Sequence, residues 1–169
     1  FFLNKIPLLR RLKLREICTV KVLYGGVSRG NRPDEANGLY RFPTAPDGTP
    51  LTRLSSPCTF CTLILASDSG KQACIASWQK LATQPEVRPR FVTCHAGLHY
   101  ARARIEIGGT LVAMVVAGQF YAAPPDPLEE QRRISTLAET HGIEAEELQQ
   151  AGKSIPVVDA RKEAQIGSW

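Results

Sequence analysis

The stretch FVTCHAGLHYARARIEIGGTLVAMVVAGQF, residues 91–120, decides the fold. It contains the densest apolar sequence, the clearest turn and the one adjacent Cys-His pair in the chain. Gly108-Gly109 separates two runs that alternate in the manner of strands. A two-residue hairpin loop needs φ > 0 at both turn positions, and neither glycine carries a Cβ to oppose that. A loop of those two residues predicts Ile107 opposite Thr110, Ile105 opposite Val112, Ala103 opposite Met114 and Ala101 opposite Val116, all on one apolar face. Tyr100, Arg102, Arg104 and Glu106 then share the other face with Ala117, Val115, Ala113 and Leu111. The first strand is polar on one side. The second is apolar on both, as in a central strand or one roofed by helices.

Working outward, 169 residues suffice for one domain with a proper core. With 43% apolar and 22% charged residues the chain is ordinary for a globular protein. No run approaches the ~18 apolar residues that span a bilayer. The start, FFLNKIPLLRRLKLR, is apolar then basic, the reverse of a signal peptide. The chain lacks an initiator Met and is expected to be a fragment. Five cysteines and no secretory signal point to a reducing cytoplasm with free or metal-bound thiols. The net charge of +5 is unevenly spread: eight basic side chains against Glu16 alone give residues 1–32 a charge of +7, leaving −2 for the rest. Such a segment can touch nucleic acid or anionic lipid. It carries no interleaved aromatics for stacking on single strands, and a solvated leader is the plainer reading.

Residues 1–44 read as an irregular basic segment. Leu8, Leu9, Leu12 and Ile17 could form a helical stripe and residues 17–24 a strand, while 25–37 read as loop. Pro46-Asp47-Gly48 signals a tight turn, with a strand expected over 49–54. Ser56 is the expected N-cap of the next helix, with Pro57 at N1. Ser67 or Ser69 starts another, whose apolar stripe is Ala73, Cys74, Trp78 and Leu81. A short strand over 90–93 runs into Cys94-His95. Asp126 caps a third helix, with Pro127 at N1, that ends at Gly142. A short helix over 145–151, an extended piece over 155–158 and a helix from Ala160 complete the chain. Helices inserted between antiparallel strands make the class α+β.

The cysteine spacing is Cys58-x2-Cys61, then Cys74, then Cys94-His95. That is enough donors for a tetrahedral Zn site or an iron–sulfur cluster. Cys61 and Cys74 also fall on apolar helix faces, where buried reduced thiols are normal. Cys94-His95 invites a nucleophile–base reading. Neighbours on a strand point to opposite faces, and neither His99 nor His141 sits at motif distance with an Asp to orient it, so no catalytic residue is assigned. Arg102 and Arg104 share a strand face and could grip a carboxylate or phosphate; a solvated face is the plainer reading. There is no GxGxxG, P-loop or HExxH.

The string Phe60-Cys61-x-Leu63-Ile64, Gly70, Cys74, Cys94-His95-Ala96-Gly97-Leu98 and Gly118-Gln119-Phe120 resembles the PocR sensory domain. So do Asp47-Gly48-x-Pro50-Leu51 before it, and Gly142-Ile143-x-x-Glu146-Glu147-Leu148 and Pro156-Val157-Val158 after it. The resemblance covers about residues 45–159, with 160–169 as the start of a signalling or linker helix. It implies a PAS/GAF-like antiparallel sheet with helices packed on it. It implies a cytoplasmic bacterial signal-transduction module that binds a small organic molecule, a short diol or related hydrocarbon derivative. The module regulates a linked histidine kinase, diguanylate cyclase or DNA-binding output domain in the same polypeptide. The domain itself is then no enzyme, and it makes no direct contact with nucleic acid or membrane; a homodimer is compatible with the resemblance. Cys58 departs from the family pattern, leaving Cys61, Cys74, Cys94 and His95 as the matching set. That set carries the alternative, a metal or redox sensor holding Zn or an iron–sulfur cluster.

A ligand pocket is expected between the central sheet and the helices, with Cys94, His95 and Gln119 as polar groups and Phe60 and Trp78 as apolar wall. His95 precedes Gly97, where backbone freedom lets a side chain aim inward. Gln119 ends the most apolar strand, where a buried amide can offer donor and acceptor to a hydroxyl or tie the sheet end to a loop.

Overall fold

The computed structural model describes residues 40–52, 57–84 and 91–161. The helical stripe, strand and loop expected before residue 38, Ser56, and all but the first two residues of the final helix lie outside them.

The elements in chain order are β1 (Tyr40–Thr44), α1 (Thr59–Ala66), α2 (Asp68–Ala82), β2 (Val92–Thr93), β3 (His99–Ile107), β4 (Thr110–Phe120), α3 (Pro127–His141) and α4 (Ala145–Gly152). The strands form one antiparallel sheet in the order β1-β4-β3-β2. With helices packed on this sheet, the class is α+β. β4 is an inner strand with a partner on each edge, and both its faces are apolar because both meet neighbours of the core. β1 lies within the stretch read as irregular. Its five residues pair with 114–118 of β4, and too little of it is apolar to announce a strand. Of the strand expected over 49–54, residues 49–52 are described, and they contribute one bridge, between Thr44 and Pro50.

The β3–β4 hairpin closes at Gly108-Gly109, with φ of +57° and +76°, and Ile107 pairs with Thr110. The register beyond the turn differs from the alternation. Glu106 pairs with Leu111 but Ile105 with Ala113, so Val112 is an extra, bulged residue. One inserted residue moves everything after it to the opposite face. Met114 therefore opposes Arg104, and Val116 opposes Arg102. The two arginines lie on the face that α2 covers, with Tyr100, Met114 and Val116.

Arg102 is accordingly buried and not on a solvated face. Its guanidinium donates to the carbonyls of Leu81 and Gln84 at the end of α2. The last carbonyls of a helix lack i+4 amide partners; that of Leu81 also accepts from Gln84 N just past the helix, and a cation there meets the negative end of the helix dipole. Arg104 donates to the Gln84 carbonyl at 3.3 Å and pairs with Glu106.

The caps follow local chemistry. Ser67 accepts from Gly70 N at 3.0 Å to start α2. Asp126 Oδ1 accepts from Leu128 N and Glu129 N, both at 3.0 Å, to start α3, which ends on Gly142 in the left-handed region. α1 begins later than expected, with Cys58 as its N-cap. The Cys58 amide is already committed to Gln119, and its backbone is extended. Two apolar groups make most of the core. One joins Phe60, Cys61 and Ile64 to Leu98, Ile134, Leu137 and Leu148. The other joins Phe42, Trp78, Leu81, Tyr100, Met114 and Val116. Among the described residues, no helix is long and apolar enough to cross a membrane.

Candidate functional site

Where the two apolar groups meet, a small cavity of about 40 Å³ opens between the sheet, α1, α2 and the loop after β2. The sheet contributes Phe42, Tyr100, Val116, Gly118 and Gln119, and α1 contributes Cys61, Ile64 and Leu65. α2 contributes Cys74, Ser77 and Trp78, and the loop Cys94, His95, Ala96 and Leu98. Of the five residues expected to meet a ligand, Cys94, His95, Gln119 and Trp78 line this space. Phe60 does not. It is wholly buried against Ile134 and Leu148 on the far side of α1, because Cys61 and Ile64 take the positions facing the sheet. Trp78 meets Phe42 edge-on, with ring centroids 4.8 Å apart.

Gln119 reaches the cavity through backbone geometry. His99 pairs with Phe120 and Tyr100 with Gly118, so Gln119 is the extra residue of a second bulge. Its φ is +79°, the one positive value at a non-glycine position among the described residues. Such a conformation costs a residue with a Cβ of order 1–3 kcal/mol and persists only where surrounding contacts impose it. Here the side-chain Oε1 accepts from Cys58 N at 3.1 Å. The tie to a loop and the approach to the cavity are thus both present. The amide carbonyl secures α1, which leaves the NH2 group as the end able to donate to a guest.

His95 lies at the mouth and is exposed. Its Nδ1 is 3.3 Å from Ser77 Oγ, and its backbone N–H donates to the same oxygen at 3.4 Å. The ring stands edge-on to His141, at 5.8 Å, which in turn lies 3.0 Å from Ser69 Oγ. Desolvation first, and the proximity of His141 second, hold His95 below its ordinary pKa. Ser77 is the centre of a small network, since its carbonyl also accepts from Tyr100 OH at 2.7 Å. Burial pushes the Tyr100 hydroxyl up and keeps it a donor. Neither Ser77 nor Tyr100 was legible as a site residue. The available signal was a lone hydroxyl within the stripe of Cys74, Trp78 and Leu81.

Cys61, Cys74, Cys94 and His95 all reach the cavity wall. Among the described residues, no three His, Cys, Asp or Glu side chains gather closely enough to hold a metal ion. Burial is the main force on two of the thiols. It pushes Cys74 up to about 12, with help from Cys94, and it raises Cys94 as well. Both stay protonated near neutrality and serve as soft, weakly polar wall. Cys94 is thus no activated nucleophile, and His95 is engaged with Ser77.

A family model, the sensory domain found in PocR, matches residues 34–168. The chain belongs to the PocR sensory-domain family. No curated protein and no solved structure matches it. The PocR match begins upstream of β1 and so takes in the whole described sheet. The matched family is described as a sensory domain, one that receives a signal.

Proposed function

We propose that this PocR domain senses a small neutral organic molecule, a short diol or related hydrocarbon derivative, held in the cavity between the sheet and α1–α2. The observation that carries this reading is the lining. Among the described residues that form it, none is a Lys, Arg, Asp or Glu. A charged guest would lose its hydration without a partner, a cost of several kcal/mol. A guest with an apolar stem and one or two hydroxyls would place the stem on Phe42, Trp78 and Val116. Its hydroxyls would meet the Gln119 amide, Ser77 and His95. A space of about 40 Å³ holds only a few atoms, so the guest is short or the walls separate around it. Binding would favour one of two arrangements of the helices. The chain after residue 159 would pass that preference to an output domain, a kinase, cyclase or DNA-binding module, in the same polypeptide. The setting would be the cytoplasm.

Thermal unfolding in a series of short diols, alcohols and carboxylates tests this. A binding diol at a hundred times its dissociation constant stabilises by about 2.7 kcal/mol. His95→Ala and Gln119→Ala should abolish that gain while leaving a folded protein. Equal gains in parent and both variants would remove the ligand from this cavity. Cys61, Cys74, Cys94 and His95 share the cavity wall, and a second reading, a Zn or iron–sulfur sensor, would use them. Metal analysis of purified protein separates the two.

A further inference from the structure

Arg133 of α3 lies over the loop that lines the cavity. A Cβ on Gly97, in that loop, would come within 2.6 Å of Arg133 Cδ and 2.7 Å of its Nη1. The loop is a tight turn, in which Cys94 N donates to the Leu98 carbonyl at 2.8 Å and Gly97 N to the Cys94 carbonyl at 3.0 Å. It places Cys94, His95, Ala96 and Leu98 on the cavity wall. The far end of Arg133 is held by Tyr121. Its Nη2 donates to Tyr121 OH at 2.6 Å, and its guanidinium carbon is 5.1 Å from the centre of the Tyr121 ring. The hydroxyl in turn donates to Glu130 Oε1 at 3.1 Å. The backbone of Tyr121 has a different partner. Its N–H donates to the Pro156 carbonyl at 2.9 Å, and its carbonyl accepts from Val158 N at 2.8 Å, around a parallel bridge to Val157. Residues 156–158 are the extended piece from which the chain runs on to residue 160 and beyond. We propose that Arg133 and Tyr121 couple the cavity to that piece: Arg133 reads the position of residues 94–98 at Gly97, and Tyr121 sets the seat of residues 156–158.

This rests on the reading of the cavity as a ligand site, and it names how occupancy leaves that site. Gly97 stands at φ of +81° and has no Cβ, so the arginine and the loop backbone meet with no side chain between them. A guest that moves the loop therefore moves Arg133, because close-packed groups transmit displacement. Tyr121 is also the second residue after Gln119, whose side chain lines the cavity and ties α1. The base of β4 and the face of α3 thus deliver a displacement to one residue. The docked arginine is balanced between opposing effects. A charge-assisted hydrogen bond and the ring contact hold it down. Its Nε is buried without a hydrogen-bond partner, a cost that release into solvent removes. An element so balanced can take two arrangements, as coupling between separate sites requires. On the exit side, Val158 is buried with Phe120 and packs with Phe91, so residues 156–158 do not shift without disturbing the base of the sheet.

Amide hydrogen exchange on the ligand-free chain tests the coupling. Gly97→Ala drives a methyl group into Arg133 and should speed exchange at the Val158 N–H at least about fivefold. The Leu51 N–H, which donates to the Pro43 carbonyl at 2.9 Å in the cluster near the hairpin turn, should keep its rate. In Arg133→Ala the same Gly97 substitution should leave Val158 at the rate of Arg133→Ala alone, although the backbone strain at residue 97 is unchanged. Equal acceleration of Val158 and Leu51 overturns the proposal, as does no acceleration of Val158 or an effect on it that survives in Arg133→Ala. Tyr121→Phe decides the matter if Gly97→Ala does not fold. It keeps the ring in its apolar group with Ala96 and Leu98 and removes only the hydroxyl. Coupling is reciprocal, so this change should speed exchange at the Gly97 N–H, whose acceptor is the Cys94 carbonyl, with Leu51 again unchanged. A Gly97 rate that is unaltered, or altered no more than that of Leu51, overturns the proposal as well. No diol is used, so failure here leaves the cavity reading standing, and a cavity that binds no diol leaves this result standing.

Discussion

The two ends of the β3–β4 hairpin carry the same irregularity to different ends. Near the turn, Val112 is the extra residue, and the bulge keeps Ile105, Val112 and Ala113 in an apolar cluster with Leu51 and Val115. At the base, Gln119 is the extra residue, following Gly118. There the bulge turns an amide towards the cavity and the start of α1. A bulge bends the strand and re-aims one side chain in both cases. An apolar extra residue adjusts packing, and a polar one beneath a helical roof builds a site. The surroundings differ as well: at the turn the glycines face open space, while at the base the backbones are in contact.

Gly118→Ala should break the base with the largest effect. A Cβ there would lie 2.5 Å from the His99 carbonyl oxygen, 2.5 Å from Tyr100 Cα and 2.7 Å from Tyr100 Cβ. Backbone atoms cannot swing aside as a flexible side chain can. The φ of +153° adds strain for any residue with a Cβ. Together these cost about 3 kcal/mol or more. Urea unfolding measures the change, and diol binding should be lost with it. A midpoint like that of the parent would mean that the bulge is not held as described.

Arg102→Met should have an intermediate effect. The substitution keeps the apolar stem and removes the donors to Leu81 and Gln84 at the end of α2. Hydrogen bonds to a charged group contribute about 1.5–3 kcal/mol, so a loss of about 2 kcal/mol is expected. Amide exchange should accelerate at Gln84, whose N–H donates to the Leu81 carbonyl at 3.2 Å. Unchanged stability and exchange would make Arg102 a bystander. Either outcome leaves the turn end of the hairpin intact, which sharpens the contrast.

Much of this was legible in the sequence. The Gly108-Gly109 turn, the inner position of β4 and the Asp126 and Ser67 caps follow from local chemistry. The cavity's polar residues Cys94, His95 and Gln119 were named from the resemblance and their positions. Alternation alone could not show where Val112 interrupts it, since a bulge is set by contacts on both sides of the sheet. The faces were therefore assigned one residue out beyond the turn, and Arg102 was read as solvated. Phe60 was placed on the wall because helix periodicity tells which residues share a face and not which partner covers it.

The smallest expected effect lies at the turn itself. A Cβ on Gly108 would meet nothing within 4 Å, so Gly108→Ala involves only the backbone. At φ of +57° an L-residue in the left-handed region costs roughly 1–2 kcal/mol. Against this, alanine restricts the unfolded chain relative to glycine and returns about 0.4–1 kcal/mol. The net loss should be at most about 1.5 kcal/mol. Gly108→Asn should lose less still, because asparagine tolerates this region and is favoured in such turns. Neither change reaches the cavity, so diol stabilisation should match that of the parent. A Gly108→Ala variant as unstable as Gly118→Ala, or one that no longer responds to a diol, would show that the two ends are coupled through the strand and would end the division of roles between the bulges.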